Sequence, residues 1–313
     1  MSFSHILFYL FAIALGGMIV FGIIRSGYSD NIMQAVYSYA SGKIGGNALP
    51  GSRDDVEQLA TDAVENTVRN TVLDSLGVSD DGFSFDVIAD IEPEYSTYEK
   101  LLGQIREDGS RMLIVNGDIT DKGTREQFLE YQTFTDERLD IPYYTVPGNH
   151  DILQDGDTST FASVFGKRYE SFDYNNSHFV LLDNASAARG FDDEQLAWLA
   201  SDLESTKADH VFLFMHRPLN VPFASAVLGK NNELKEGNIQ LFLDTIKDHD
   251  IDMIFGAHVP GYLQYTLESV DVPVYASGGG GTPPSIGFLE SDFHYLHVNV
   301  RGDDVSVKKV ELE

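Results

Sequence analysis

Six polar side chains of only three kinds, set at the ends of apolar runs, constrain what this 313-residue chain can fold into more than any other feature. From Phe83 onward, short apolar segments alternate with segments of helical spacing. The strand-like runs are FDVIAD (85–90), MLIVNGD (112–118), YYTVPGN (143–149), HFVLLDN (178–184), VFLFMH (211–216) and MIFGAH (253–258). Between them, Tyr98–Ile105, Arg125–Leu139, Asp193–Leu203 and Ile239–Ile246 repeat apolar residues at intervals of three and four, which predicts helices. The tail FHYLHVNV-RGDD-VSVKKVEL predicts a hairpin about a Gly-Asp turn. Alternation of this kind, with nearly continuous apolar strands, predicts an α/β domain whose sheets are largely buried.

Asp90, Asp118, Asn149, His150, His216 and His258 each fall at or just past the end of one such run. In open α/β sheets that edge is where ligands bind, because strand ends and the loops that follow converge there. One such residue would be an ordinary cap or turn former. Six, drawn only from Asp, Asn and His, make up the donor set for divalent cations that activate water.

The N-terminus differs in kind. Ile6–Ile24 carries no charged side chain. As a helix it would span roughly 28 Å, close to a bilayer's hydrocarbon thickness. Met1–His5 lacks a basic segment and no small-x-small cleavage motif follows, so a single-pass anchor is favoured over a cleaved signal peptide. Residues 28–82 read as a juxtamembrane linker. Within it Asp54–Leu76 has the spacing of an amphipathic helix ended by Gly77. The organisation expected is therefore an anchor at 1–27, the linker at 28–82 and a soluble domain at 83–313, leaning to the extracytoplasmic side. With no cysteine, disulfides, thiolate metal sites and cysteine nucleophiles are excluded. A formal net charge of -28 and no basic patch argue against a nucleic-acid partner.

The segments GDITDKG (117–123), VPGNHD (146–151), FMHRPL (214–219) and AHVPGY (257–262), in this order, resemble the calcineurin-like metallophosphoesterases, over about residues 83 to 313. FDDEQLAWLASDLE (191–204) is similar to the cyclic-nucleotide phosphodiesterase-like branch. The resemblance implies a four-layer sandwich of two mixed sheets flanked by helices, with two metals sharing an aspartate and a water or hydroxide. Carried over, Asp118 bridges, Asn149, His216 and His258 complete the second metal's shell, and Asp90 belongs to the first. His150 matches the residue that orients phosphate and protonates the leaving oxygen, and Asp121 its carboxylate partner. The cofactors implied are one or two divalent ions per chain, drawn from Mn, Fe, Zn, Mg or Ca. The partner implied is a phosphoester substrate.

The sequence departs from the family at one metal only. Asp-x-His becomes Asp90-Ile91-Glu92, and Gly-His-x-His becomes Ala257-His258-Val259-Pro260. Pro260 supplies no ligand. Glu92 could ligate, giving an all-oxygen first shell of Asp90, Glu92 and Asp118 that suits harder ions. Two functions stay open on this ground: a phosphoesterase with a rebuilt first metal, or a pseudoenzyme that binds a metal or phospho-ligand as a sensor or scaffold. The run SGGGGTPPS (277–285) is either a loop near the metal centre or a plain connection between strands. Lys122 sits where relatives place a phosphate-binding Arg, and His294 and His297 read as structural. Asn175 and Asn184 begin glycosylation motifs.

Overall fold

The computed structural model describes residues 82–91, 95–153, 156–222, 234–281 and 292–313. The anchor at Ile6–Ile24, the linker helix at Asp54–Leu76, Glu92 and residues 282–285 of the glycine-rich run lie outside these residues. No helix among the described residues is long and apolar enough to cross a membrane.

In chain order the elements are β1 Phe83–Ile88, α1 Tyr95–Asp108, β2 Leu113–Val115, α2 Arg125–Asp136, β3 Tyr143–Thr145, α3 Ser159–Phe165, β4 Glu170–Tyr174, β5 Ser177–Leu181, α4 Asp193–Ser205, β6 His210–Phe214, α5 Glu236–Ile246, β7 Met253–Gly256, β8 Tyr262–Leu267, β9 Val272–Ser277, β10 His294–Arg301 and β11 Asp304–Glu311. They form two sheets, ordered β11-β10-β1-β2-β3 and β4-β5-β6-β7-β9-β8. In the first, β1, β2 and β3 run parallel and β10 and β11 antiparallel. In the second, β5, β6, β7 and β9 run parallel, with β4 and β8 antiparallel at the edges. Both sheets are mixed, as expected.

Three apolar clusters define the layering. Phe85, Val87, Phe179, Phe212, Phe214 and Phe255 fill the space between the sheets. Leu101, Leu102 and Ile105 of α1 and Phe128 and Tyr131 of α2 pack with Ile88, Leu113 and Val115 on the outer face of the first sheet. Leu199 and Leu203 of α4 and Phe242 and Ile246 of α5 do the same for the second, against Val211, Leu213 and Ile254. Alternation along β1 explains the division, since successive side chains face opposite sides. Phe85 thus reaches the aromatic core, with Phe179 at 5.1 Å and Phe212 at 5.3 Å between ring centroids.

The helices begin where the sequence supplies caps. Thr124 accepts from Gln127 N and Asp192 from Gln195 N, satisfying donors that the first turn leaves open. The three apolar residues of β2 and β7's MIFG stop well before the Asp and His that follow them. Those polar residues therefore belong to loops. The segments that periodicity did not anticipate are α3, β4, β8 and β9: α3 spans only seven residues, β4 and β8 are edge strands, and β9 is buried on both faces.

Candidate metal centre

Five strand ends, three from the first sheet and two from the second, deliver the predicted donors to one place. His216 follows β6 and is fully buried, and its Nδ1 donates to Asn116 O at 2.8 Å, which leaves Nε2 as the atom facing the centre. Around that Nε2 stand Asn149 Oδ1 at 2.9 Å, Asp118 Oδ2 at 3.2 Å and His258 Nδ1 at 3.2 Å. Donor atoms of Asp118, His216 and His258 all lie within 4.8 Å of one another. Asp90 joins from β1, its Oδ2 accepting from His258 N at 3.0 Å.

The backbone is bent to achieve this. Asp90, Asp118 and His258 take φ of 55°, 53° and 63°. Left-handed backbone in a residue other than glycine costs about 1–3 kcal/mol and persists only where surroundings enforce it. Here the enforcement is visible. Asp90 N and Ile91 N donate to Gly117 O and Asp118 O, at 3.1 and 3.2 Å. Asn116 Nδ2 donates across the sheets to Phe255 O at 3.0 Å. Gly148 lies so close to the Asp118 loop that an added Cβ would sit 2.2 Å from Asp118 N.

Asp151, not among the predicted site residues, is the clasp of this arrangement. It is fully buried and accepts from Ile119 N, Thr120 N, Thr120 Oγ1 and Gly148 N. One carboxylate thus ties the GDITD loop to the GNHD loop. Burial, with the Asp118 charge adding to it, raises its carboxyl to about 6. Its signal in the sequence is the Asp that ends PGNHD.

Arg217 was likewise not predicted. It is buried, with Nε donating to Ala185 O at 2.8 Å and Nη1 lying 3.1 Å from His258 Nε2. Asn184 fixes its backbone from both sides, accepting from Arg217 N and donating to Arg217 O. Asn184 is fully buried by that task, so its glycosylation motif is inaccessible, whereas Asn175 is exposed in the β4–β5 turn.

The electrostatics fit a cation. Burial would raise Asp118, but the charge and hydrogen bond of His216, aided by His150, hold it well below the usual carboxylate range. Burial pushes Asp90 well up; the His216 charge opposes this and the Asp118 charge adds to it. Burial, then the positive fields of His216 and Arg217, drive His258 down to about 2, so its imidazole is neutral. A carboxylate, an amide oxygen and two imidazole nitrogens face one another with more lone pairs than protons to separate them. A divalent ion is the group that this donor set satisfies. When His258 Nδ1 holds a cation, the ring proton resides on Nε2, and Arg217 Nη1 loses that nitrogen as an acceptor.

His150 is exposed, and its backbone N donates to Asp118 Oδ1 at 2.8 Å. Asp121 is half exposed and pairs with Lys122 Nζ at 3.3 Å. The described part of the glycine run lies beside the metal centre, the first of the two positions expected for it. Gly280 N donates to Ala89 O at 2.9 Å, and a Cβ on Gly278 would lie 2.7 Å from Asp90 Oδ2. These glycines let the segment leaving β9 lie backbone to backbone on the Asp90 loop. His294 is structural as expected, with Nε2 2.9 Å from Ser277 Oγ.

Comparison with known families settles the class. The sequence profile of the calcineurin-like phosphoesterases matches residues 83–262, more than half of the chain. This protein belongs to that family. Its enzymes are metal-dependent phosphoric ester hydrolases that work with divalent ions, which agrees with the donor set above. A protein of Arcobacter nitrofigilis named as a probable glycerophosphodiester phosphodiesterase, GpdQ, is 30% identical over 123 residues. That match takes in 34% of this chain and 41% of the relative, so less than half of the relative's length is spanned. Among solved structures, the fold is similar to a dimetal phosphatase from Danio rerio, with TM-score 0.54, 16% identity, and coverage of 74% of this chain and 96% of that one. It is also similar to GAP50, the anchor in the inner membrane complex of Plasmodium, with TM-score 0.58, 12% identity, and coverage of 74% and 85%. Purple acid phosphatase PPD1 of yellow lupin follows with TM-score 0.56, 14% identity, and coverage of 73% and 51%.

Proposed function

We propose that this chain hydrolyses a phosphodiester, using the Asp118, Asn149, His216 and His258 donors to hold a divalent ion. The observation that carries the proposal is the meeting of these four donors with the buried Arg217 at the shared edge of the two sheets. The relative named as a glycerophosphodiester phosphodiesterase supports the diester class. A bound cation there would lower the pKa of water and neutralise charge on the phosphoryl group.

The chain's own groups supply the rest. Asn116 holds His216 in one tautomer, and Asp151 fixes the loops that carry Asp118 and Asn149. Arg217, its Nη1 beside the donors, offers a fixed positive charge for a phosphoryl oxygen. His150, exposed and joined through its backbone N to Asp118, would give a proton to the departing alkoxide. The apolar run at Ile6–Ile24 would anchor the domain to a membrane, bringing headgroup-derived diesters near the site.

The test uses full-length protein loaded in turn with Mn²⁺, Zn²⁺, Mg²⁺ or Ca²⁺ and given a panel of phosphomonoesters, cyclic nucleotides and glycerophosphodiesters. Turnover of a diester that disappears in Asp118→Asn supports the proposal. No product from any pairing sinks it. A scaffold that binds phospho-ligands is the second reading, and one observation favours it: Pro260 supplies no donor, while Asp90 Oδ2 is engaged by His258 N. Bound metal with no turnover would select that reading.

A further inference from the structure

The outer face of the first sheet carries a second polar cluster, away from the strand ends. Phe83, Phe85 and Val87 point into the core between the sheets, so Asp86 points the other way, toward the helix layer. It is fully buried. His297 stands directly opposite on β10, its Nδ1 2.8 Å from Asp86 Oδ1. Asp108, the last residue of α1, places Oδ2 3.6 Å from the same nitrogen and accepts from Tyr295 OH. Ser110 Oγ lies 3.4 Å from His297 Nδ1.

One donor atom from each of Asp86, Asp108 and His297 lies within 4.8 Å of the other two. Hydrogen bonding does not exhaust the cluster. Asp86 Oδ2 is buried and has no hydrogen-bond partner. A buried carboxylate oxygen left unpaired is costly, and an apolar residue is the ordinary occupant of a strand position beneath a helix. Two acidic groups also gather at the C-terminal end of α1, the negative pole of the helix, where a cation is favoured and an anion is not. The side-chain exposures, 0% for Asp86, 15% for His297 and 28% for Asp108, describe a buried base with one open side.

We propose that Asp86, Asp108 and His297 form a second divalent-cation site, independent of the strand-end centre, suited to a first-row ion such as Zn²⁺. Two carboxylates and one imidazole are a complete protein ligand set for such an ion, with solvent closing the shell through the open side. His297 must present an unprotonated Nδ1 to bind, so an imidazolium releases one proton on uptake and a neutral ring moves its proton to Nε2. The bound ion would tie β1, β10 and the end of α1 together. Lys308, paired with His297 across β10 and β11 and exposed, acts on His297 through its positive charge and sets a modest penalty for the ion.

The test begins with a full-length Asp118→Asn/His216→Gln variant, which disables the strand-end centre. Equilibrium dialysis against Zn²⁺ and elemental analysis should still find one ion per chain, and Zn²⁺ should raise the midpoint of thermal unfolding. Adding Asp108→Asn and His297→Gln should remove both the ion and the shift, with the far-ultraviolet dichroism unchanged. No ion in the first variant, or the same count in the second, overturns the proposal. Should the second variant unfold, Asp108→Asn alone must weaken Zn²⁺ binding about tenfold or more; unchanged affinity overturns the proposal equally.

Discussion

The middles and the ends of the same strands are built to opposite rules. In the middle of β1, β6 and β7, Phe85, Phe212, Phe214 and Phe255 pack edge and face in the core between the sheets. A few residues on, Asp90, His216 and His258 crowd polar atoms together, and Asp90 and His258 do so on left-handed backbone. The middles lower the energy of the fold. The ends raise it, and the aromatic core is what holds them in place. A site of this kind is maintained by the stability of its surroundings, as expected where function and stability compete.

The sharpest way to break that comparison is a paired substitution. Asp118→Asn should cut turnover roughly a thousandfold, the kinetic equivalent of several kcal/mol of lost charge stabilisation. In the same variant without added metal, the unfolding midpoint should fall only modestly, because His216 loses its charged partner while the amide oxygen can still accept from His150 N. Phe85→Ala should do the reverse. It should destabilise by about 3–5 kcal/mol in denaturant titration while metal bound per folded molecule stays the same. Loss of both properties in both variants would mean that core and site are not separable.

The clasp sharpens the picture. Asp151→Ala should lower turnover by about 10- to 100-fold through displaced loops. It should also cost about 1–3 kcal/mol, since four donors lose their acceptor. Asp151→Asn, which keeps one carbonyl oxygen, should recover part of each. Equal stability of wild type and Asp151→Ala would remove the clasp from the account.

The smallest effect concerns pH and a region far from the strand ends. His178 Nδ1 and Nε2 lie 2.6 Å from Asp173 and 2.9 Å from Asp202. Burial lowers its pKa, but the bonds to Asp202 and Asp173 outweigh that and raise it above the usual histidine value. A group with a raised folded-state pKa contributes most below its unfolded value, about 6.5, and loses that contribution as pH rises through the folded value. The gap in unfolding midpoint between wild type and His178→Gln should therefore be widest near pH 5 and narrow toward pH 9. A gap independent of pH would make this contact one of packing alone.

Much of this was legible in the chain. The period of the apolar runs fixed the α/β class, and the resemblance carried by GDITDKG and VPGNHD pointed to the donors. Those donors work at strand ends, where the next loop is short and local chemistry restricts it. Asp151 and Arg217 were not legible, because their roles depend on partners distant in sequence: Ile119 and Thr120 for the one, Ala185 and His258 for the other.

By itself, then, the sequence determined which residue types could bind a cation and that they would sit at the edge of apolar strands, since periodicity and turn chemistry act over a few residues. Only the tertiary structure decided that both sheets contribute to one centre and that Asp86 meets His297 and Asp108. Strand order and register bring such residues together, and both are set by packing between segments as far apart as β1 and β10, which no local pattern encodes.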